Sequence, residues 1–156
     1  MPKIHFTIQD SFPKLTSEYK YRFIHCGKVF STGLQAFFFL KNDHNQHLYA
    51  NPSLYQENRN RICAEKNICK LHQINKMIPQ DDKWECFKHA IMLSVVESRL
   101  RCVPGFREQL LASGDRILIN ADPNCRHFGV GADYRSIRWL SADRLEGRNF
   151  AMFAVN

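Results

Sequence analysis

The chain lacks any apolar run approaching the roughly 18 residues that a membrane-crossing helix requires, so no membrane partner is expected. It also lacks a CxxC pair, its six cysteines being scattered at 26, 63, 69, 86, 102 and 125. The opening residues, MPKIHFTIQD, contain neither the apolar stretch nor the cleavage pattern of a secretion signal. A cytoplasmic protein with reduced, mostly buried thiols is the expectation. Cys63, Cys69 and His72, with His44 and His47 upstream, form the most metal-like grouping, yet their spacing matches no common zinc pattern. Neither a metal nor another cofactor is expected. Repeats, low-complexity tracts and flexible linkers are missing too, which predicts one domain over residues 1–156.

What the chain does have is apolar mass and positive charge. Hydrophobic residues make up 44%, with twelve Phe, which favours a globular core over disorder. A net charge of +7 points to anionic partners: phosphorylated small molecules, nucleic acid or acidic protein. The cations are dispersed in pairs, such as Lys20 with Arg22 and Arg59 with Arg61. That reads as a generally basic surface in preference to a dedicated nucleic-acid patch.

The clearest element is residues 82–101, DKWECFKHAIMLSVVESRLR. Asp82 followed by Glu85 has the pattern of a capping box. Trp84, Phe87, Ile91 and Val95 then fall on one stripe, which Met92, Val96, Leu93 and Leu100 widen. A helix apolar most of the way round is packed on several sides, so this segment is read as the central buried helix. Before it, residues 4–8 and 19–24 read as strands, with Gly27-Lys28 turning into Val29 and Phe30. Ser31 or Thr32 can cap a short helix, GLQAFFFLK, whose three adjacent phenylalanines cannot share one face. Pro52 opens another helix to about Lys66, with Leu54, Tyr55, Ile62 and Cys63 expected inward, and the stretch to Pro79 carries no decisive pattern. After the central helix, residues 106–112 read as a short helix with Gly114 as its cap, and residues 116–121 as a strand. A turn at Asp122-Pro123-Asn124, two glycines at 129 and 131, and a last helix in FAMFAV complete the chain. The class is α+β.

The second half carries an ordered set of residues: Trp84, Lys88 and Met92; Leu110, Leu111, Ser113 and Gly114; Phe128-Gly129-Val130-Gly131; and Gly147-Arg148-Asn149. In order and, through Gly131, in interval, this set resembles the YbiA-like, or NADAR, family of NAD- and ADP-ribose-associated domains. Gly27-Lys28, Phe30, Thr32 and Lys41 extend the likeness into the first half. The resemblance implies a single YbiA-like α+β domain that recognises a phosphorylated ribosyl or ADP-ribosyl nucleobase compound, ADP-ribosylated nucleic acid included, and hydrolyses its N-glycosidic bond. It also implies ligand-binding roles for Lys28, Phe30, Lys41, Lys88, Phe128, Gly129, Gly131, Arg148 and Asn149.

That chemistry wants a carboxylate where positive charge builds on the sugar. The positions that match the family's acids hold Leu34, Asn120 and Cys125, and the family's histidine position holds Gln35. Asp122, in the adjoining turn, is the catalytic candidate that remains, with Glu18 and Asp115 behind it. The expectation is therefore slow or absent hydrolysis by an N-glycosidase relative, with a catalytically degenerate ligand- or protein-binding module as the alternative.

Overall fold

The computed structural model describes residues 5–7, 12–114 and 117–121, in two compact units. The expectations for Asp122, for Phe128 to Gly131 and for the C-terminal helix lie outside the described residues.

The unit from Lys20 to Cys102 begins with a hairpin of β2 (Phe23–His25) and β3 (Lys28–Phe30). Its antiparallel register sets Phe23 opposite Phe30 and Ile24 opposite Val29. The two-residue turn is Cys26-Gly27, one residue earlier than the sequence suggests, with φ of 50° and 75°. Positive φ at both positions gives the turn the twist that matches the strands it joins. His25 Nδ1 lies 2.6 Å from Ser98 Oγ and Nε2 lies 3.5 Å from Ser94 Oγ, which fastens the hairpin to the helix bearing both serines.

Four helices follow: α1 (Gly33–His44), α2 (Pro52–Ala64), α3 (Ile68–Met77) and α4 (Asp82–Cys102). Thr32 caps α1 as expected, its Oγ1 accepting from Gln35 N. Nine of the 12 residues of α1 are buried against six of 21 in α4, so α1, not α4 as expected, is the deepest helix among the described residues. The three phenylalanines explain this. Phe37 meets Trp84 at 5.6 Å, Phe38 meets the His72 ring at 5.5 Å, and Phe39 meets Phe30 at 5.3 Å. Each ring needs a different neighbour, so the helix has to be enclosed.

Other details differ from expectation for identifiable reasons. The cap of α4 is Asp81, whose Oδ1 accepts from Lys83 N and Trp84 N, while Glu85 reaches Lys88 instead of closing a box on Asp82. Along α2 the buried residues are Asn58 and Ile62; Leu54 and Cys63 face solvent. Cys26, Cys63, Cys69, Cys86 and Cys102 are all exposed free thiols, contrary to the expected burial, because they fall on turns and outward helical positions. The undecided stretch before Pro79 forms α3, capped by Asn67, with Leu71 and Ile74 buried.

The other unit pairs Met1–Tyr19 with Val103–Asn156. Here β1 (His5–Thr7) lies parallel to β4 (Ile117–Ile119), His5 opposite Ile117. The helix α5 (Phe106–Ser113) ends at Gly114, the expected cap, whose N–H donates to the Leu111 carbonyl and whose φ of 54° favours glycine. Lys14 N donates to Gln109 Oε1, which holds the turn at Pro13–Leu15 beside this helix.

Trp84 is 3% exposed and is enclosed by Phe37 and His44. Truncation should leave a cavity costing about 3–5 kcal/mol. Urea unfolding of Trp84→Ala, followed by far-UV circular dichroism, should show that loss against wild type.

Candidate functional site

Beyond the hairpin, the backbone pairing continues for one more contact, Tyr21 N donating to Ser31 O at 3.0 Å. That bond sets residues 20–22 beside Ser31 and Thr32, at the start of α1. Across from them, α2 ends and the chain turns through Glu65 and Lys66 into α3. Between these two walls lies a concavity of about 230 Å³, lined by Lys20, Tyr21, Arg22, Ser31, Thr32, Glu65, Lys66 and Leu71.

One buried side chain fixes both walls. Gln35 is 3% exposed, and its Oε1 accepts from Ser31 N at 2.8 Å. Its Nε2 donates to the carbonyls of Ile62, Cys63 and Glu65 at 2.9, 3.1 and 3.3 Å. The last carbonyls of a helix have no partner within it, and Gln35 supplies one for the end of α2. Glu65 is held further by its own side chain, whose Oε1 accepts from Lys66 N at 3.1 Å and Asn67 N at 2.9 Å. Lys20, Arg22 and Lys66 are exposed, and among the described residues none pairs with a carboxylate. Tyr21 offers an aromatic face, 43% exposed, between two of these cations.

Of the residues nominated from sequence, the four that are described do not line this concavity and fall into two pairs. Lys28 and Phe30 meet at Phe39: the Lys28 ammonium sits 5.1 Å from that ring's centre, and Phe30 packs between Phe23 and Phe39 with 2% exposure. Arg59 takes another approach to the Phe39 ring at 4.6 Å and pairs with Asp43 at 3.2 Å. Lys41 and Lys88 come together beside Trp84. Lys41 Nζ donates to Asn75 Oδ1 at 2.8 Å and lies 5.8 Å from the indole centre; Lys88 pairs with Glu85 at 2.5 Å. Phe39 and Lys41 are two residues apart on α1, so the pairs occupy different sides of that helix. Asp122, Phe128, Gly129, Gly131, Arg148 and Asn149 are outside the described residues. Leu34 and Asn120, at the family's acid positions, are both buried.

Lys41 is the most perturbed of the nominated groups. Burial, with the Lys88 ammonium adding to it and Glu85 opposing, lowers its pKa from 10.5 to about 8. A second buried cation, Arg99, packs its side chain against Gly33 at the start of α1, where an added Cβ would lie 2.9 Å from Arg99 Cδ. Burial lowers its pKa to about 10. Among the described residues, no group of three His, Cys, Asp or Glu side chains converges in a way that could hold a metal ion.

No family model matches the sequence, and a search of curated proteins finds no match. Among solved structures, the NMR structure of the E. coli protein YbiA aligns over 99% of this chain and 82% of that chain, with a TM-score of 0.70 at 15% identity. The chain has the YbiA fold. The α+β architecture implied by the ordered motifs is therefore present, and identity at that level speaks for the fold alone. On that fold, the concavity beside the start of α1 combines cations, hydroxyls, an aromatic ring and a carboxylate. Sequence reading missed it because its two walls are 34 residues apart, from Ser31 to Glu65, and join through Gln35. A basic pair flanking an aromatic, in Lys20-Tyr21-Arg22, was the available signal.

Two outcomes test this description. Gln35→Leu should cost about 2–4 kcal/mol in urea unfolding, since it leaves Ser31 N–H and the α2 carbonyls without their buried partner. For Lys41, a depressed pKa means that the folded state holds fewer protons than the unfolded state between pH 8 and 10.5. Wild-type stability should consequently rise through that window relative to Lys41→Met. Parallel melts at pH 7, 8, 9 and 10 should show the difference shifting toward wild type at each step.

Proposed function

We propose that this YbiA-like domain recognises a phosphorylated ribosyl or ADP-ribosyl nucleobase compound, with its phosphorylated portion in the concavity at the start of α1. The observation that carries the reading is the set of three cations, Lys20, Arg22 and Lys66, none paired with a carboxylate among the described residues, around one mouth with Ser31 and Thr32. Phosphate oxygens accept strong hydrogen bonds from Lys and Arg, and hydroxyls complete such a shell. The amino end of a helix adds partial positive charge. Tyr21 can stack on a nucleobase, as exposed aromatics do in nucleotide sites. A volume near 230 Å³ is below the roughly 300–1,000 Å³ of sites that enclose a drug-sized ligand. It suits a ribose phosphate, with the remainder of a larger ligand such as ADP-ribose outside. A guanine ADP-ribosylated within nucleic acid meets the same requirement.

Binding without turnover is the reading that the acid positions favour. Leu34 and Asn120 are buried, and Gln35 is wholly engaged in joining the walls.

Isothermal titration calorimetry with ADP-ribose and with ribose 5-phosphate tests the proposal. The expected Kd is micromolar to millimolar and weakens as salt rises from 50 to 300 mM, because the contacts are ionic and exposed. Arg22→Ala and Lys66→Ala should each weaken binding about 5–50-fold, the effect of losing roughly 1–2 kcal/mol of charged hydrogen bonding. Absence of heat with both ligands would remove the reading.

A further inference from the structure

The outward face of the β2–β3 hairpin leads into the concavity. Burial alternates along both strands: Phe23, His25 and Phe30 are buried, while Arg22, Ile24 and Val29 are exposed. Ile24 and Val29 are cross-strand partners, 59% and 62% exposed, so they form one apolar pair in solvent. On each strand, the residue two positions away from this pair lines the concavity: Arg22 before Ile24, and Ser31 after Val29. Two residues of strand span roughly 6.5–7 Å. A chain extended along the hairpin can therefore meet the cations and the apolar pair at once.

We infer that this face docks a phosphorylated segment of a partner protein, with a phosphoserine or phosphothreonine in the concavity and an apolar side chain on Ile24 and Val29. The inference shares with the small-ligand reading only the hold of three cations on phosphate, and the two ligands compete for one place. Charge and size select the occupant. A phosphorylated side chain brings about −1.5 to −2 of charge and three acceptor oxygens. It meets Lys20, Arg22 and Lys66, none paired with a carboxylate among the described residues. A volume of about 230 Å³ takes such a side chain while the rest of the segment stays outside. A strand of nucleic acid fits the surroundings less well. Continued along the hairpin, its next phosphates would meet Ile24, Val29 and the Cys26-Gly27 turn, which carry no cation. Lys28 is directed to the Phe39 ring instead, 5.1 Å from its centre. An extended polypeptide presents alternate side chains on one face. An apolar residue two positions from the phosphorylated one thus reaches the pair, and basic clusters that read phosphorylated motifs use such a neighbour for specificity.

Fluorescence anisotropy with a labelled heptapeptide tests the inference. The peptide carries a central phosphothreonine, an isoleucine two positions to either side, and otherwise alanine and serine. Its unphosphorylated form, a form with alanine for isoleucine, and a 5′-phosphorylated oligothymidylate are measured beside it. Wild type should bind the phosphopeptide about tenfold or more tightly than the unphosphorylated form, since charged hydrogen bonds are lost with the phosphate. The double variant Ile24→Ser, Val29→Ser should weaken phosphopeptide binding about 5–20-fold, the effect of losing buried apolar surface. Its affinity for ribose 5-phosphate should match wild type. The alanine form of the peptide makes the same test without altering the protein and should lose a similar factor. Ribose 5-phosphate should displace the bound phosphopeptide. Binding indifferent to the phosphate would overturn the inference, as would binding indifferent to the isoleucines or tighter binding of the oligothymidylate. Ribose 5-phosphate that binds while the phosphopeptide does not would remove this inference alone. The reverse result would remove the sugar-phosphate reading and leave this one standing.

Discussion

The amide of Gln35 is the constraint on which the candidate site depends. A primary amide carries two N–H donors and a carbonyl acceptor, and here every one is used within a buried space. Its donors close the end of α2 and fix the carbonyl of Glu65; its acceptor fixes Ser31. A neutral imidazole has one donor and one acceptor and could not serve that number of partners. Because an unmade buried hydrogen bond is expensive, the two walls hold their separation without needing a ligand between them.

The same helix shows how a basic chain packs charge inside. Lys41, Asn42 and Asn45 are buried on α1 beside its phenylalanines. Most of these polar groups are used: Lys41 by Asn75 and the Trp84 face, Asn42 by Tyr49 and the Tyr55 carbonyl, and Asn45 Nδ2 by the Lys41 carbonyl, while Asn45 Oδ1 is buried with no partner among the described residues. The polar contacts tie α1 to α2 and α3 at points where apolar packing alone would leave the register loose. The cost of burying an ammonium shows in the lowered Lys41 pKa. Aromatic faces offset part of that cost, as the Lys28 and Arg59 approaches to Phe39 do on the other side.

Much of the fold was legible in the sequence. Helical spacing after residue 82, the Thr32 cap, the Gly114 stop and the strand at residues 117–119 are local signals, and the structure obeys them. Errors arose where two local solutions were equivalent. Asp81 and Asp82 are both good caps, and the choice falls to Asp81 because Glu85 is drawn to Lys88. The cysteines misled because burial is only a tendency of the residue type, while Cys63 and Cys69 fall on outward positions of α2 and α3. The concavity was less legible, because Lys20 and Arg22 lie more than 40 residues from Glu65 and Lys66 in sequence. They are brought to one place by the Tyr21–Ser31 backbone bond and the Gln35 contacts, none of which leaves a local pattern.

Charge balance gives that cluster its meaning. Among the described residues, the three cations and one carboxylate that line the concavity sum to a net charge of +2. Such a group, at the positive end of a helix, is repelled by itself and by the dipole beside it. A phosphate monoester carries about −1.5 to −2 at neutral pH, which nearly cancels that excess. Glu65 tempers the excess without removing it, because its Oε1 is already committed to the Lys66 and Asn67 amides and its single charge faces three cations.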